Sequence, residues 1–188
     1  MEVKNIVKKV LIMIQNDSLA DKISQESYTL TTDEQKEIDL IINSINLTQQ
    51  NIATKYYSLI DVAKVTNSTG EIKYSDITSQ HIYNILSVKN AKNANLKYVL
   101  KPTSIVTNTG DIVIKYSYFP QDVTINDNLS VLSVKVSERA ILYGSISEYL
   151  FVKGIFDEAE MWEKKFKDEV NQIINIRKNA FIPPRTWR

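Results

Sequence analysis

The sequence predicts a mainly α fold with a β insert: a bundle-like body of four helices, a small antiparallel β lobe and an extended C-terminal arm. Three observations predict it. Apolar residues recur at helical spacing near both ends of the chain. The period shifts to two between about residues 62 and 119. Pro183-Pro184 then ends helix formation in the tail. The expected division is a helical body from residues 1–61 and 129–178, a β-rich insert over 62–128, and an arm over 179–188. With 188 residues, 43% apolar and 24% charged, the chain has enough material for a real core.

The first helix is expected over 3–15, where Val3, Ile6, Val7, Val10, Leu11 and Ile14 share a face and Lys4, Lys8 and Lys9 fall between them. A core-facing helix explains this pattern better than a membrane-surface helix, because no Trp or Phe accompanies the lysines. Residues 16–30 read as polar turn material. Thr32 and Gln35 have capping-box spacing and open a long helix over 33–58, carried by Ile38, Ile41, Ile42 and Ile45. Gln49 interrupts that stripe.

The middle reads as strands. Val62–Thr66 and Glu71–Ser75 flank Asn67-Ser68-Thr69-Gly70 as an expected hairpin. Residues 82–88 fit a strand or a short helix, 96–100 and 104–107 fit strands, and 112–119 alternates cleanly until Pro120. Ile112, Ile114, Tyr116 and Tyr118 share one face there. Asn108-Thr109-Gly110 repeats the turn chemistry of the first turn.

Helix returns after an acidic connector. Ser137 is the expected N-cap of a helix reaching about Val152, apolar nearly all round from Ala140 to Phe151, with Gly144 and Ser147 permitting a close approach. Gly154 is its expected C-cap. Asp157 and Glu160 are a second capping-box pair, opening a helix to Lys178 with Trp162 and Phe166 in the core.

Composition removes whole classes of chemistry. There is no Cys, hence no disulfide and no thiol nucleophile, and a single His, His81. The Gly at 70, 110, 144 and 154 lie too far apart for a phosphate loop. No motif ties His81 to a nucleophile, and Asp122 and Asp127 lack a third acid at ligand spacing. No catalytic site, metal or cofactor is therefore expected, and neither a secretory signal nor a membrane span. The net charge of +1 argues against non-specific coating of nucleic acid.

The tail is the most informative segment. Arg177, Lys178, Arg185 and Arg188 hold three of the four arginines, with no acid among residues 177–188. Phe181, Ile182, Pro183, Pro184 and Trp187 lie among them. Aromatic and Arg residues anchor protein interfaces, and prolines lower the entropy lost when an extended segment docks. The segment is expected to be an intermolecular arm. A DNA-binding module using the same cations is the alternative, recognisable by affinity that falls steeply with salt. The tyrosines of the β lobe, Tyr116 and Tyr118 in particular, are expected to pack within the lobe or against a neighbouring subunit.

The order of elements resembles the head–tail adaptor (connector) proteins of tailed phages, especially those of short-tailed phages. The resemblance lies in the strand Ile112–Pro120 with its Tyr116-Ser117-Tyr118-Phe119-Pro120 end and the polar connector from Asp122 to Leu132. It continues in Arg139-Ala140-Ile141-Leu142-Tyr143 and Tyr149, Gly154, and Asp157-Glu158-Ala159 before Trp162. It spans most of residues 33–188; it assigns no counterpart to the N-terminal helix with Val10 to Ile14 and leaves open whether residues 1–30 face the portal, the channel or a neighbour. With 25 Ile, 19 Lys and 16 Asn against 4 Arg, the composition is that of AT-rich coding and would suit a crAss-like phage. The resemblance implies a non-enzymatic virion protein of the neck region, assembled in the host cytoplasm. About a dozen copies would form a ring between the portal protein and a downstream tail or second ring protein. DNA would pass through the channel without sequence-specific contact, and the arm would dock on the portal.

Overall fold

The computed structural model describes residues 1–25, 27–129 and 136–178, with side chains up to residue 172. It is a mixed α and β structure, with six helices and two three-stranded antiparallel sheets among the described residues. The chain divides into two units, one built from Met1–Gln49 together with the chain from Asp122 onward, the other from Gln50–Gln121. The boundaries thus differ from those expected at 61 and 128. Residues 50–61 belong with the strands. Residues from 122 belong with the helices, because the Asn46 amide pairs with both backbone groups of Val123, at 3.1 and 2.9 Å.

The helical unit begins with α1 (Val3–Met13), which buries Val3, Ile6, Val7, Val10 and Leu11. Its end is a Schellman turn: Asn16 N–H reaches Leu11 C=O at 2.8 Å and Gln15 N–H reaches Ile12 C=O at 3.1 Å. Gln15 takes the left-handed φ of 63° that glycine usually supplies. The expected turn over 16–30 is instead largely α2 (Asp17–Ser24), which buries Leu19, Ala20 and Ile23. Three apolar residues in eight suffice because they fall on one side.

α3 (Thr32–Asn51) is capped one residue earlier than its sequence suggests. Thr31 Oγ1 accepts from Glu34 N–H at 3.3 Å, and Glu34 accepts from Thr31 N–H at 2.7 Å. The capping box is Thr31–Glu34, not Thr32–Gln35, and satisfies two orphan backbone donors. Glu34 also binds Lys22 of α2 at 2.6 Å. The Lys22 ammonium and the Thr31 amide together hold the Glu34 carboxyl at about 2. Instead of continuing as α-helix to 58, the chain makes one π-helical turn at Ile52–Tyr56.

α5 (Glu138–Val152) is the buried helix of this unit. Ser137 caps it as expected, its Oγ accepting from Ala140 N–H at 3.1 Å. A Cβ placed on Gly144 would lie 2.5 Å from Thr48 Cγ2 of α3 and 3.1 Å from Phe166. Only a glycine lets these helices come so close. Ser147 on the same helix donates to Ala159 C=O at 2.9 Å. α5 ends in a second Schellman turn at Gly154, φ 78°. α6 (Phe156–Lys178) starts before Asp157. That residue therefore lies in the first turn, where its charge complements the helix dipole, and does not cap it. Phe166 and Val170 of α6 are buried, whereas Trp162 is only half-buried, stacked near Tyr143 and under Lys165.

The β unit comprises β1 (Leu59–Asn67), β2 (Glu71–Lys73), a one-turn helix α4 (Tyr74–Ile77), β3 (Ile82–Asn90), β4 (Tyr98–Leu100), β5 (Ser104–Thr107) and β6 (Gly110–Tyr118). The expected hairpin of Val62–Thr66 with Glu71–Ser75 does not form. β1 pairs with β6 and β2 with β5, in sheets ordered β1-β6-β3 and β2-β5-β4. Asn67 faces Gly110 and Glu71 faces Val106, so three residues on each side span the corner and the register carries through it. The two sheets follow one another around the two similar turns, which lie side by side. The buried Asn67 side chain joins them: its amide donates to Asn108 C=O at 3.0 Å and accepts from Gly70 N–H at 3.0 Å. Ile72 and Ile105 from one half pack with Val88, Ile112, Ile114 and Tyr116 from the other in a single core.

Two outcomes are expected. Gly144→Ala should lower stability by about 1–2 kcal/mol, since overpacking against Thr48 exceeds the helix propensity gained. Thr48→Ala in the same chain should recover part of the loss, as read by urea denaturation. The Glu34 carboxyl lies below its unfolded value of 4.5, so its contribution is complete above pH 4.5 and is lost as pH falls towards 2. Urea midpoints of Glu34→Gln should therefore change less than those of the native chain between pH 5 and about 2.5.

Candidate interaction surfaces

Most of the arm expected from sequence lies outside the described residues: Phe181, Ile182, Pro183, Pro184, Arg185, Trp187 and Arg188. Arg177 and Lys178 are the last residues of α6, and only their backbone is described.

The structure separates the two tyrosines. Tyr116 is 2% exposed and forms part of the core of its own lobe, its hydroxyl 3.4 Å from Asp61. It presents no surface to a second copy. Tyr118 is half-buried beside it, with ring centroids 6.2 Å apart. Burial, then the Asp61 and Tyr116 oxygens, push its hydroxyl above the usual phenol range.

The groups considered for chemistry are dispersed. His81 is exposed and tilts against the Phe119 ring at 5.6 Å. It lines an open cavity of about 700 Å³ with Tyr74, Thr78, Gln80, Tyr83 and Asn84. Tyr74 in that cavity spends its hydroxyl on Lys101 C=O at 2.9 Å. Asp127 accepts from both the backbone and the hydroxyl of Thr124 at 2.7 Å, which holds its carboxyl below the usual range. It closes a turn. Among the described residues no three His, Asp or Glu side chains meet at a metal-binding distance. The cavity offers hydroxyl and amide groups for hydrogen bonding, but brings no carboxylate to the imidazole.

A different surface stands out on the helical unit. The turn between α5 and α6 exposes Phe151 by 62% and Phe156 by 56%, with Val152 and Ile155 beside them. The two rings meet edge to face at 5.3 Å. Phe151 was expected to be buried, because α5 is apolar nearly all round. Tyr149 and Leu150 in the same turn are buried, and Tyr149 and Lys153 bond Glu37 of α3, so Phe151 and Val152 lie on the side of the last turn that the neighbouring helices leave uncovered. Asp157, Glu158 and Glu160 are exposed immediately beyond this tip. At the other end of α5, Lys9 of α1 pairs with Glu138. Along that side of α1 runs a groove of about 460 Å³ that includes Asn5, Lys8 and the exposed Ile12. Among the described residues no helix is long and apolar enough to cross a membrane.

Comparison of the sequence with protein-family models finds no match, and comparison with curated proteins finds none either.

The burial differences set up a direct contrast. Phe166→Ala should cost about 3–5 kcal/mol because its ring is fully enclosed. Phe151→Ala should stay within about 0.5 kcal/mol. Trp162→Ala should fall between them, all three read as shifts in the urea midpoint at unchanged m.

Proposed function

We propose that the chain is the subunit of a head–tail adaptor ring in a tailed phage, sitting in the neck of the virion after assembly in the host cytoplasm. About a dozen copies extend the DNA channel below the portal protein and give the tail its attachment platform. The role requires no catalytic step and no cofactor. DNA passes without sequence-specific contact.

The observation that supports this reading best is the element order. A helical unit is interrupted between α3 and α5 by a folded β lobe, and resumes through a polar connector as an α-hairpin jointed at Gly154. That is the order on which the resemblance to adaptor proteins rests. In this reading α1, α3, α5 and α6 form a bundle-like body. The basic, aromatic residues Phe181, Ile182, Pro183, Pro184, Arg185, Trp187 and Arg188 dock on the portal, with Arg177 and Lys178 at the base of the arm. Arg is suited to that task because its planar fork pairs with carboxylates in fixed geometry.

Deletion of residues 179–188 tests the reading. The truncated chain should keep the helical circular-dichroism signal and thermal midpoint of the full chain, yet lose binding to purified portal. A truncated chain that still docks would sink the role of the arm. Cryo-electron microscopy of particles that hold portal and tail, but not this chain, would sink the adaptor assignment itself. Binding to duplex DNA that weakens steeply with salt and depends on Arg185 and Arg188 would favour the DNA-binding alternative.

A further inference from the structure

The ring reading gives no task to the open cavity of about 700 Å³ in the β unit. The cavity lies between the loop that follows α4, the start of β3 and the link from β4 to β5, with Gln80, Tyr83 and Pro102 on its three sides. Its volume falls within the roughly 300–1,000 Å³ of sites that hold small organic molecules. Its lining has a definite chemical character. No Asp, Glu, Lys or Arg side chain is part of it among the described residues. A phosphate, carboxylate or ammonium group would enter without a countercharge and lose its hydration. The walls offer hydroxyl, amide and aromatic groups instead.

Those polar groups leave both donors and acceptors for a ligand. Tyr74 donates to Lys101 C=O at 2.9 Å, so its oxygen is left as an acceptor. Thr78 Oγ1 accepts from Gln80 N–H at 3.1 Å, so its own proton is left to donate. Gln80 Oε1 is buried with no hydrogen-bond partner among the described residues, and an unpaired acceptor in the wall favours a ligand that donates. The aromatic part is built in advance. Phe119 stands 5.2 Å from Tyr83, edge to face, and 5.6 Å from His81. Its N–H bonds His81 C=O at 2.9 Å. Both rings that line the cavity beside β3 thus share one support, and Tyr83 still keeps 49% of its surface exposed.

An aromatic face is electron-rich. The polarised C–H groups on one side of a pyranose ring suit such a face, while its hydroxyls both donate and accept. An uncharged peptide can use the same amides and hydroxyls, but it would seat best by adding a strand to the β3 edge. The register shifts between Ile82 and Asn84 and between Ile85 and Ser87 break the regular backbone spacing that an added strand needs, in the stretch that lines the cavity. We propose that the cavity beside β3 binds an uncharged saccharide, with one pyranose ring against Tyr83 and its hydroxyls on Thr78, Gln80 and Asn84. The site lies wholly inside the β unit, so it goes beyond the ring reading and does not depend on it.

The test is heteronuclear NMR on the full, isotope-labelled chain, with maltose, lactose and N,N′-diacetylchitobiose as probes. At least one sugar should move the amide signals of residues 78–85 and saturate with a dissociation constant of about 1 mM, because an open site leaves much of the ligand in water. The constant should hold between about 0.05 and 0.5 M salt, since no charged side chain lines the cavity. Tyr83→Ala should weaken binding roughly three- to tenfold. Tyr83→Phe keeps the ring and should bind like the native chain. Asn84→Ala, at an exposed position, should weaken binding as well, and it carries the test where Tyr83→Ala disturbs the fold. Phe151→Ala removes an exposed ring from the helical unit and should change nothing.

No shift with any of the three sugars at about 50 mM overturns the proposal. So do shifts confined to residues outside the β unit, or binding indifferent to both Tyr83→Ala and Asn84→Ala. A capped, uncharged Gly-Ser peptide that binds more tightly than every sugar would give the cavity to a peptide and overturn the proposal too.

Discussion

A missing side chain sets the geometry of the helical unit. α5 has almost no exposed face until its last turn, so neighbouring helices must fit it closely along its length. Gly144 faces both α3 and α6, and any Cβ there would collide with Thr48. The Thr48 hydroxyl is committed to Ser44 C=O at 2.8 Å, which fixes its rotamer and leaves the methyl no room to turn away. Around this contact, polar groups lock α5 to each neighbour. Ser137 donates to Glu169 at 3.2 Å, and Ser147 donates to the α6 backbone. Tyr149 and Lys153 converge on Glu37 of α3. Burial and then the Glu37 carboxylate raise the Tyr149 hydroxyl far above its ordinary value, which favours its protonated form as the donor to Glu37.

The β lobe meets a different constraint with a similar economy of means. Bending a sheet breaks its ladder, and the freed backbone groups must find partners. Here both strands bend at the same height, so Thr107 N–H can bond Gly70 C=O across the corner at 3.0 Å. The Asn67 amide takes further groups from both turns. The Gly70 and Gly110 φ values of 83° and 117° are needed there because a side chain would strain either turn. On the outer strand β3, register shifts at Tyr83 and Leu86 leave both side chains facing out. Such bulges blunt an edge against pairing with other chains.

Local signals were legible where one residue type had one use. Ser137 capped its helix, Gly154 ended it, and the alternation from Ile112 to Tyr116 marked a buried face. Signals failed where the chemistry was shared or non-local. Thr31-Thr32 and Glu34-Gln35 offer the same cap twice, and only the nearby Lys22 ammonium selects Glu34. The Asn-Ser-Thr-Gly and Asn-Thr-Gly turns announce a reversal or a corner alike, because turn chemistry does not name the strand that will pair. α2 was hidden by its polar composition, and the exposure of Phe151 by an apolar pattern that does not reveal which side of a helix its partners cover. Of the expected site, the tail composition is plain in the sequence. The apolar tip and the groove are not, since each is assembled from packing limits and neither from a motif.

The interleaving of the two units has a consequence for how the chain reaches its native state. The β lobe is continuous in sequence, from Gln50 to Gln121, whereas the helical unit needs segments on both sides of it. On a ribosome moving at about 5–20 residues per second, α1, α2 and α3 emerge several seconds before α5 exists to cover them. The lobe can complete its own long-range pairings during that interval. The N-terminal helices wait with apolar faces open, and the acidic and lysine-rich faces opposite keep them in water until α5 arrives. Nascent chains are thus most exposed to aggregation between the synthesis of Asn51 and that of Val152, a window set by topology and not by stability.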